Sequence, residues 1–251
     1  MNDNTLVVVI LLIALALTLA GTALMRRWRL SLRPLRAFGT LPTLVDEAIE
    51  SDRTVHVSFG HAGVGAETTL TAVVGAEALQ AMTERAAIGD RSPLVTLSDP
   101  LGLALAQDTL RRGYRARGVP ERYDNLAAVW LPQGPGSLAF AAGAASLAAD
   151  RDASANVMIG RFGTEMIVIG EMGARRDAAQ VAGSDLLEGQ AVAFAISEMP
   201  LIGEEMFVGG AYFSRDLVKR AGVLAQDVLR LGIIVIIVLS FIIATLTAGA
   251  T

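Results

Sequence analysis

The residues best suited to chemistry sit together in one segment, Ser58-Phe59-Gly60-His61-Ala62-Gly63-Val64-Gly65-Ala66-Glu67-Thr68-Thr69. Thr54 to Phe59 ahead of it is rich in β-branched residues and reads as a strand, whereas Glu67 to Ala87 reads as a helix, so the glycines form a strand-to-helix turn. Such a turn can aim backbone N–H groups and a helix N-terminus at a phosphate or carboxylate. The glycine order is GxxGxG, however, not the dinucleotide order GxGxxG, and no GK[ST] loop occurs in the chain. The acidic residue that the dinucleotide pattern wants about 20 positions on is replaced by Asp99, 34 positions beyond Gly65. A tight structural turn explains the glycines better than an anion site does.

In an open parallel sheet, the loops that follow successive strands collect at the carboxyl edge, where ligands sit. That edge would gather His61, then Ser98 and Asp99, then Gln133 with Gly134 and Gly136. The candidate ligand-binding residues are therefore Gly60, His61, Gly63, Gly65, Ser98 and Asp99. A working His61–Asp99 pair requires an approach of about 3 Å. Ser98 has no GxSxG surround and opens no nucleophile elbow. With His56 and His61 as the only histidines and no cysteine, a thiolate or histidine-rich zinc site is excluded. Glu165, Glu171, Asp185, Glu188, Glu198, Glu204 and Glu205 make the second half acid-rich and could meet a hard cation through oxygen. No EF-hand spacing is present, and solvation with helix N-terminal charge accounts for them more simply. No catalytic residue, metal ligand or cofactor is assigned.

The elements that must position these groups alternate. Helices are expected at Pro42 to Ser51, Glu67 to Ala87, Leu101 to Arg117 and Ser137 to Ala149, and strands at Thr54 to Phe59, Leu94 to Leu97 and Leu126 to Leu131. Beyond Asp150 the pattern changes. Val157 to Ile159 and Met166 to Ile169 are apolar runs around Gly160-Arg161-Phe162-Gly163-Thr164, which reads as a hairpin. A short helix near Ala174 to Gln180 and a further run, Ala191 to Ile196, complete the sheet. The fold class is α/β, a mostly parallel mixed sheet with helices on both faces, parallel in its first half and antiparallel later.

Two uncharged stretches flank this domain, Asn4 to Met25 and Leu231 to Thr251, each close to the roughly 20 residues a membrane-crossing helix needs. The expected organisation is a first transmembrane helix over 1–25, a basic collar over 26–36, the α/β domain over 37–213, a connecting helix over 214–230 and a second transmembrane helix over 231–248. Ser214 is a candidate N-cap for one continuous helix into the membrane, with Leu217, Ala221, Leu224 and Val228 as an apolar seam. Arg26, Arg27, Arg29, Arg33 and Arg36 follow the first span, while Lys219, Arg220 and Arg230 precede the second. Positive charge marks cytoplasmic flanks, so the domain is expected in the cytoplasm and both termini outside, in the cell membrane. Arg26, Arg27, Arg29 and Arg33, with Trp28 among them, also suit anionic lipid headgroups. Neither span carries an ionisable residue, which argues against a transport path through one chain. Between Ala37 and Gln226 there are 15 basic and 23 acidic side chains, about −8, which argues against a nucleic-acid partner.

The stretches Gly183-Ser184-Asp185 and Ile196 to Tyr212, which reads Ile-Ser-Glu-Met-Pro-Leu-Ile-Gly-Glu-Glu-Met-Phe-Val-Gly-Gly-Ala-Tyr, resemble a family of uncharacterised bacterial membrane proteins. The resemblance implies a cytoplasmic α/β domain between terminal spans and no catalytic motif. The functional expectation is a membrane-anchored, self-assembling structural or scaffold protein, with the lipid bilayer and further copies of itself as partners. The alternative is a tethered binding or enzymatic domain that takes a phosphorylated or carboxylated small molecule, a small anionic ligand, at the Gly60–Gly65 loop.

Overall fold

The computed structural model describes residues 3–27, 32–65, 67–131, 134, 136–213 and 217–248. The chain divides into two compact units, Met1–Arg33 with Ser214–Thr251, and Pro34–Phe213.

The first unit pairs two helices, α1 (Asp3–Arg27) and α9 (Leu217–Ala248). Within α9, Leu217–Ile242 spans 26 residues at a mean hydropathy of 2.2, long and apolar enough to cross a membrane. In α1 the corresponding apolar stretch is shorter, Leu11–Ala23. The expectation of a spanning helix at each end is thus met, among the described residues, at the carboxyl end only. The two helices touch where both carry small residues: a β-carbon on Gly21 would lie 3.4 Å from Ala221 Cβ. Ala221 and Ala225 are buried while Val228 is exposed, so the occluded seam is Ala221/Ala225 and does not continue to Val228. The proposed N-cap Ser214 lies outside the described residues, as do Trp28 and Arg29, and the side chains of Arg26 and Arg27.

The second unit is a six-stranded sheet in the order β3-β2-β1-β4-β5-β6, parallel in every pairing. Its first half runs β1 (Thr54–Gly60), α3 (Thr69–Ala86), β2 (Leu94–Leu97), α4 (Pro100–Ala116) and β3 (Ala128–Trp130). Helix α5 (Leu138–Asp150) crosses over to a second half, β4 (Ala153–Arg161), α6 (Met166–Ala174), β5 (Ala179–Ser184), α7 (Leu187–Ile196) and β6 (Met199–Leu201). Right-handed crossovers put α3 and α4 on one face and α5, α6 and α7 on the other, because the sheet is built leftward from β1 and then rightward from β4. Helix α2 (Arg36–Glu50) and the short α8 (Gly209–Phe213) join α3, with Phe38 of α2 stacked 5.5 Å from the Tyr212 ring.

The second half corrects the sequence reading. There is no hairpin and no antiparallel strand among the described residues: Met166 to Ile169 opens α6, and Ala191 to Ile196 closes α7. The span read as a helix, Ala174 to Gln180, is the turn out of α6 and the start of β5. Runs of four to six apolar residues carry no period that tells strand from helix, and Gly-containing loops serve both hairpins and strand-to-helix turns. Burial decided the outcome: Met166 and Ile169 pack with Phe140, Met158 and Phe162 between the sheet and its second helix layer. Helix α2 begins at Arg36, six residues ahead of its expected start, and keeps Pro42 inside it. Burial of Phe38 and Leu41 outweighs the weak helix preference of Gly39 and Pro42.

Three helix-to-strand turns use one device. Asp52, Asp152 and Asp177, before β1, β4 and β5, hold φ of 50°, 52° and 53°, a left-handed conformation that aspartate tolerates better than most side chains.

Candidate functional site

The winding of the sheet reverses between β1 and β4, and in sheets of this build the crevice outside that reversal is the usual ligand position. Two loops frame it, 61–68 after β1 and 162–165 after β4. They are tied together at the base, where His61 N–H donates to the Arg161 carbonyl at 2.9 Å.

Several residues singled out from sequence do meet here. His61 Nδ1 lies 3.1 Å from Ser98 Oγ. The Ser98 N–H bonds the Gly60 carbonyl at 2.9 Å, joining the ends of β1 and β2. Asp99 is engaged elsewhere: it N-caps α4, its Oδ1 accepting from Gly102 N–H at 2.8 Å. Among the described residues no hydrogen bond joins Asp99 to His61. Gln133 lies outside the described residues.

Several of the loop's backbone donors are occupied. Ala62 N–H bonds the Phe59 carbonyl (3.1 Å), Gly63 N–H bonds Thr68 Oγ1 (3.2 Å) and Gly65 N–H bonds Thr69 Oγ1 (3.0 Å). An anion at these N–H groups would have to displace their acceptors. The glycines answer the turn's own needs, with φ at +60° for Gly60 and +105° for Gly65.

Sequence reasoning missed the other wall. Arg161 Nη1 sits 3.2 Å from Glu67 Oε1 and 3.9 Å from Asp185 Oδ2, and Thr71 Oγ1 donates to the same Asp185 oxygen at 3.1 Å. Trp130 Nε1 donates to the Ser98 carbonyl at 3.1 Å. The overlooked signal was the segment Gly160 to Glu165, whose apolar run, glycines and following helix repeat the grammar of the first loop.

Beneath the crevice a buried polar file crosses the sheet. His56 Nε2 is 2.8 Å from Thr96 Oγ1 and His56 Nδ1 is 3.1 Å from Asn156 Oδ1, and Asn156 lies beside Gln180 in the β4–β5 register. Complete burial pushes the His56 pKa down to about 4, with the Asn156 bond opposing the shift.

A different feature marks the outside of the second helix layer. Helices α5, α6 and α7 pack side by side and contain three ionisable residues among them, Asp150, Glu171 and Glu188. Their solvent side presents Leu138, Ile167, Leu187 and Phe194, which are 64%, 50%, 83% and 73% exposed. A depression of about 480 Å³ along α6 is lined by Ile167, Val168 and Met172 together with the ion-paired Glu171 and Arg175. The layer opposite is more polar: α4 alone carries Asp108, Arg111, Arg112 and Arg115.

Comparison with known proteins gives one match. The family model described as "Domain of unknown function (DUF6754)" covers residues 1–251. No curated protein and no solved structure matches the chain.

Proposed function

For this chain, which belongs to the DUF6754 family, we propose the role of a membrane-anchored building block whose α/β domain self-associates through the outer face of α5, α6 and α7. The apolar character of that face carries the proposal. Contiguous exposed apolar surface on a folded domain marks an interaction site more often than an idle surface, and Phe194 and Leu187 are large side chains left in water at a cost of roughly 1.5–3 kcal/mol each relative to burial.

Anchoring is proposed at both ends. Helix α9 supplies one span. For the other, α1 is 25 residues long with no ionisable side chain between Asn4 and Met25, about 37 Å at ~1.5 Å per residue. The arginines after α1 and the basic residues early in α9 support a cytoplasmic position for the domain. Copies tethered in one membrane share one orientation, so the assembly has an axis along the membrane normal, a two-fold pair or a larger ring. Arg26, Arg27, Arg29 and Arg33 would then lie at the headgroups. A small anionic ligand at Gly60, His61, Gly63, Gly65, Ser98 and Asp99 is the weaker reading, because the N–H groups of His61, Ala62, Gly63 and Gly65 are already bonded.

The test is the mass of the particle extracted in mild detergent. An assembly is expected for the wild type and its dissociation for Phe194→Glu; a wild-type particle of monomer mass sinks the proposal.

A further inference from the structure

Several carboxylates of this domain are answered by an arginine: Asp46 by Arg85, Asp52 by Arg91, Asp90 by Arg122 and Asp152 by Arg53. Glu165 is not, at a place where an unanswered charge is costly. It is 3% exposed. Its Oε1 accepts from Gly163 N–H at 2.9 Å, and its Oε2 is buried with no hydrogen-bond partner. A second carboxylate points at the same spot. A β-carbon on Gly163 would lie 2.8 Å from Glu165 Oε2 and 2.9 Å from Glu188 Oε1, so the absence of a side chain at 163 lets both oxygens approach the same spot. Gly136, from the turn before α5, faces the same oxygen, its notional β-carbon 3.9 Å from Glu165 Oε2. Among the described residues neither Glu165 nor Glu188 has an ion-pair partner.

Two carboxylates converging on one space, one of them buried and half-satisfied, favour a positive charge between them. We propose that Glu165 and Glu188 hold a hydrated divalent cation of the magnesium type, linking the loop after β4 to the first turn of α7. The donor set chooses the class. The ligands are oxygen only, which disfavours zinc. No group of three or more acidic, histidine or cysteine side chains converges among the described residues, so the six to eight oxygens of a calcium cage are not assembled. Magnesium keeps several of its waters and is commonly held by one or two carboxylates.

The test uses the full-length protein in detergent. Mn²⁺, read by electron paramagnetic resonance, should bind saturably as a single ion per chain and be displaced by Mg²⁺. Glu165→Gln keeps the acceptor for Gly163 N–H and removes the charge; Glu188→Gln removes a charge from an exposed side chain. Each should weaken binding by more than the roughly tenfold lost when an outer-shell partner of a metal ligand is removed. Mg²⁺ should raise the melting temperature of the wild type and not that of the double variant. Without metal, Glu165→Gln should melt higher than the wild type, because an uncompensated buried charge is gone. Absence of saturable Mn²⁺ binding by the wild type overturns the proposal. Unchanged binding in the double variant overturns it equally. If Glu165→Gln does not fold, Glu188→Gln decides alone.

Discussion

The carboxylate of Asp99 fills the space that a side chain at Gly63 would need: a β-carbon there would lie 2.0 Å from Asp99 Oδ1 and 2.1 Å from Cγ. Glycine at position 63 therefore lets the loop after β1 close over the cap of α4. Gly63→Ala should push the carboxylate away from Gly102 N–H and destabilise the domain by about 1–3 kcal/mol through overpacking and loss of the cap. Thermal unfolding measures it, and an unchanged melting temperature would refute the contact.

The buried His56 makes stability depend on pH. Its folded pKa of about 4 lies below the ordinary 6.5, so between these values the unfolded chain takes up a proton that the folded domain refuses. The His56 contribution is complete above pH 6.5 and declines as pH falls toward 4, at about 1.4 kcal/mol per unit in the middle of that window. His56→Gln removes this slope. Denaturant unfolding at pH 7 and pH 5 should show a drop for the wild type that exceeds the variant's by about 2 kcal/mol; equal drops would mean that His56 titrates normally in the fold.

The absence of cysteine makes the proposed interface directly testable. Phe194→Cys introduces a lone thiol on the outer face of α7. Mild oxidation of membranes should then give a covalent dimer if the contact is two-fold with Phe194 near its axis, whereas Arg115→Cys on α4, on the opposite helix layer, should stay monomeric on a denaturing gel. Equal cross-linking at both sites would indicate random collision.

Asp177 tests the left-handed turn before β5. It is exposed and holds φ at 53°. Asp177→Gly should leave stability unchanged or raise it slightly, whereas Asp177→Val should lower it by roughly 1–2 kcal/mol, the cost of placing a β-branched residue in that region. Parallel melting curves distinguish them.

The first half of the domain is legible in the chain because each element there announces itself. Thr54 to Phe59 and Leu94 to Leu97 are β-rich and end at Gly60 and Asp99, and the helices between them are long. The second half is not. Met166 to Ile169 and Ala191 to Ile196 are apolar on every side, and such runs become helix or strand according to what they are packed against. The candidate site divides likewise. Proximity of His61 to Ser98 follows from the ends of neighbouring parallel strands, but the place of Arg161 in the facing wall is hidden once its loop is read as a hairpin.

By itself, the sequence determines the alternation of strands and helices, the uncharged ends and the acidic balance of the domain, since periodicity, length and charge are local properties of the chain. Only the tertiary structure decides that the sheet is parallel throughout, that its reversal falls between β1 and β4, and that Asp99 caps a helix instead of facing His61. It alone brings Glu165 and Glu188 together beside Gly163. Register and crossover direction depend on burying both faces of the sheet at once, a condition satisfied by residues a hundred positions apart, such as His56 and Asn156.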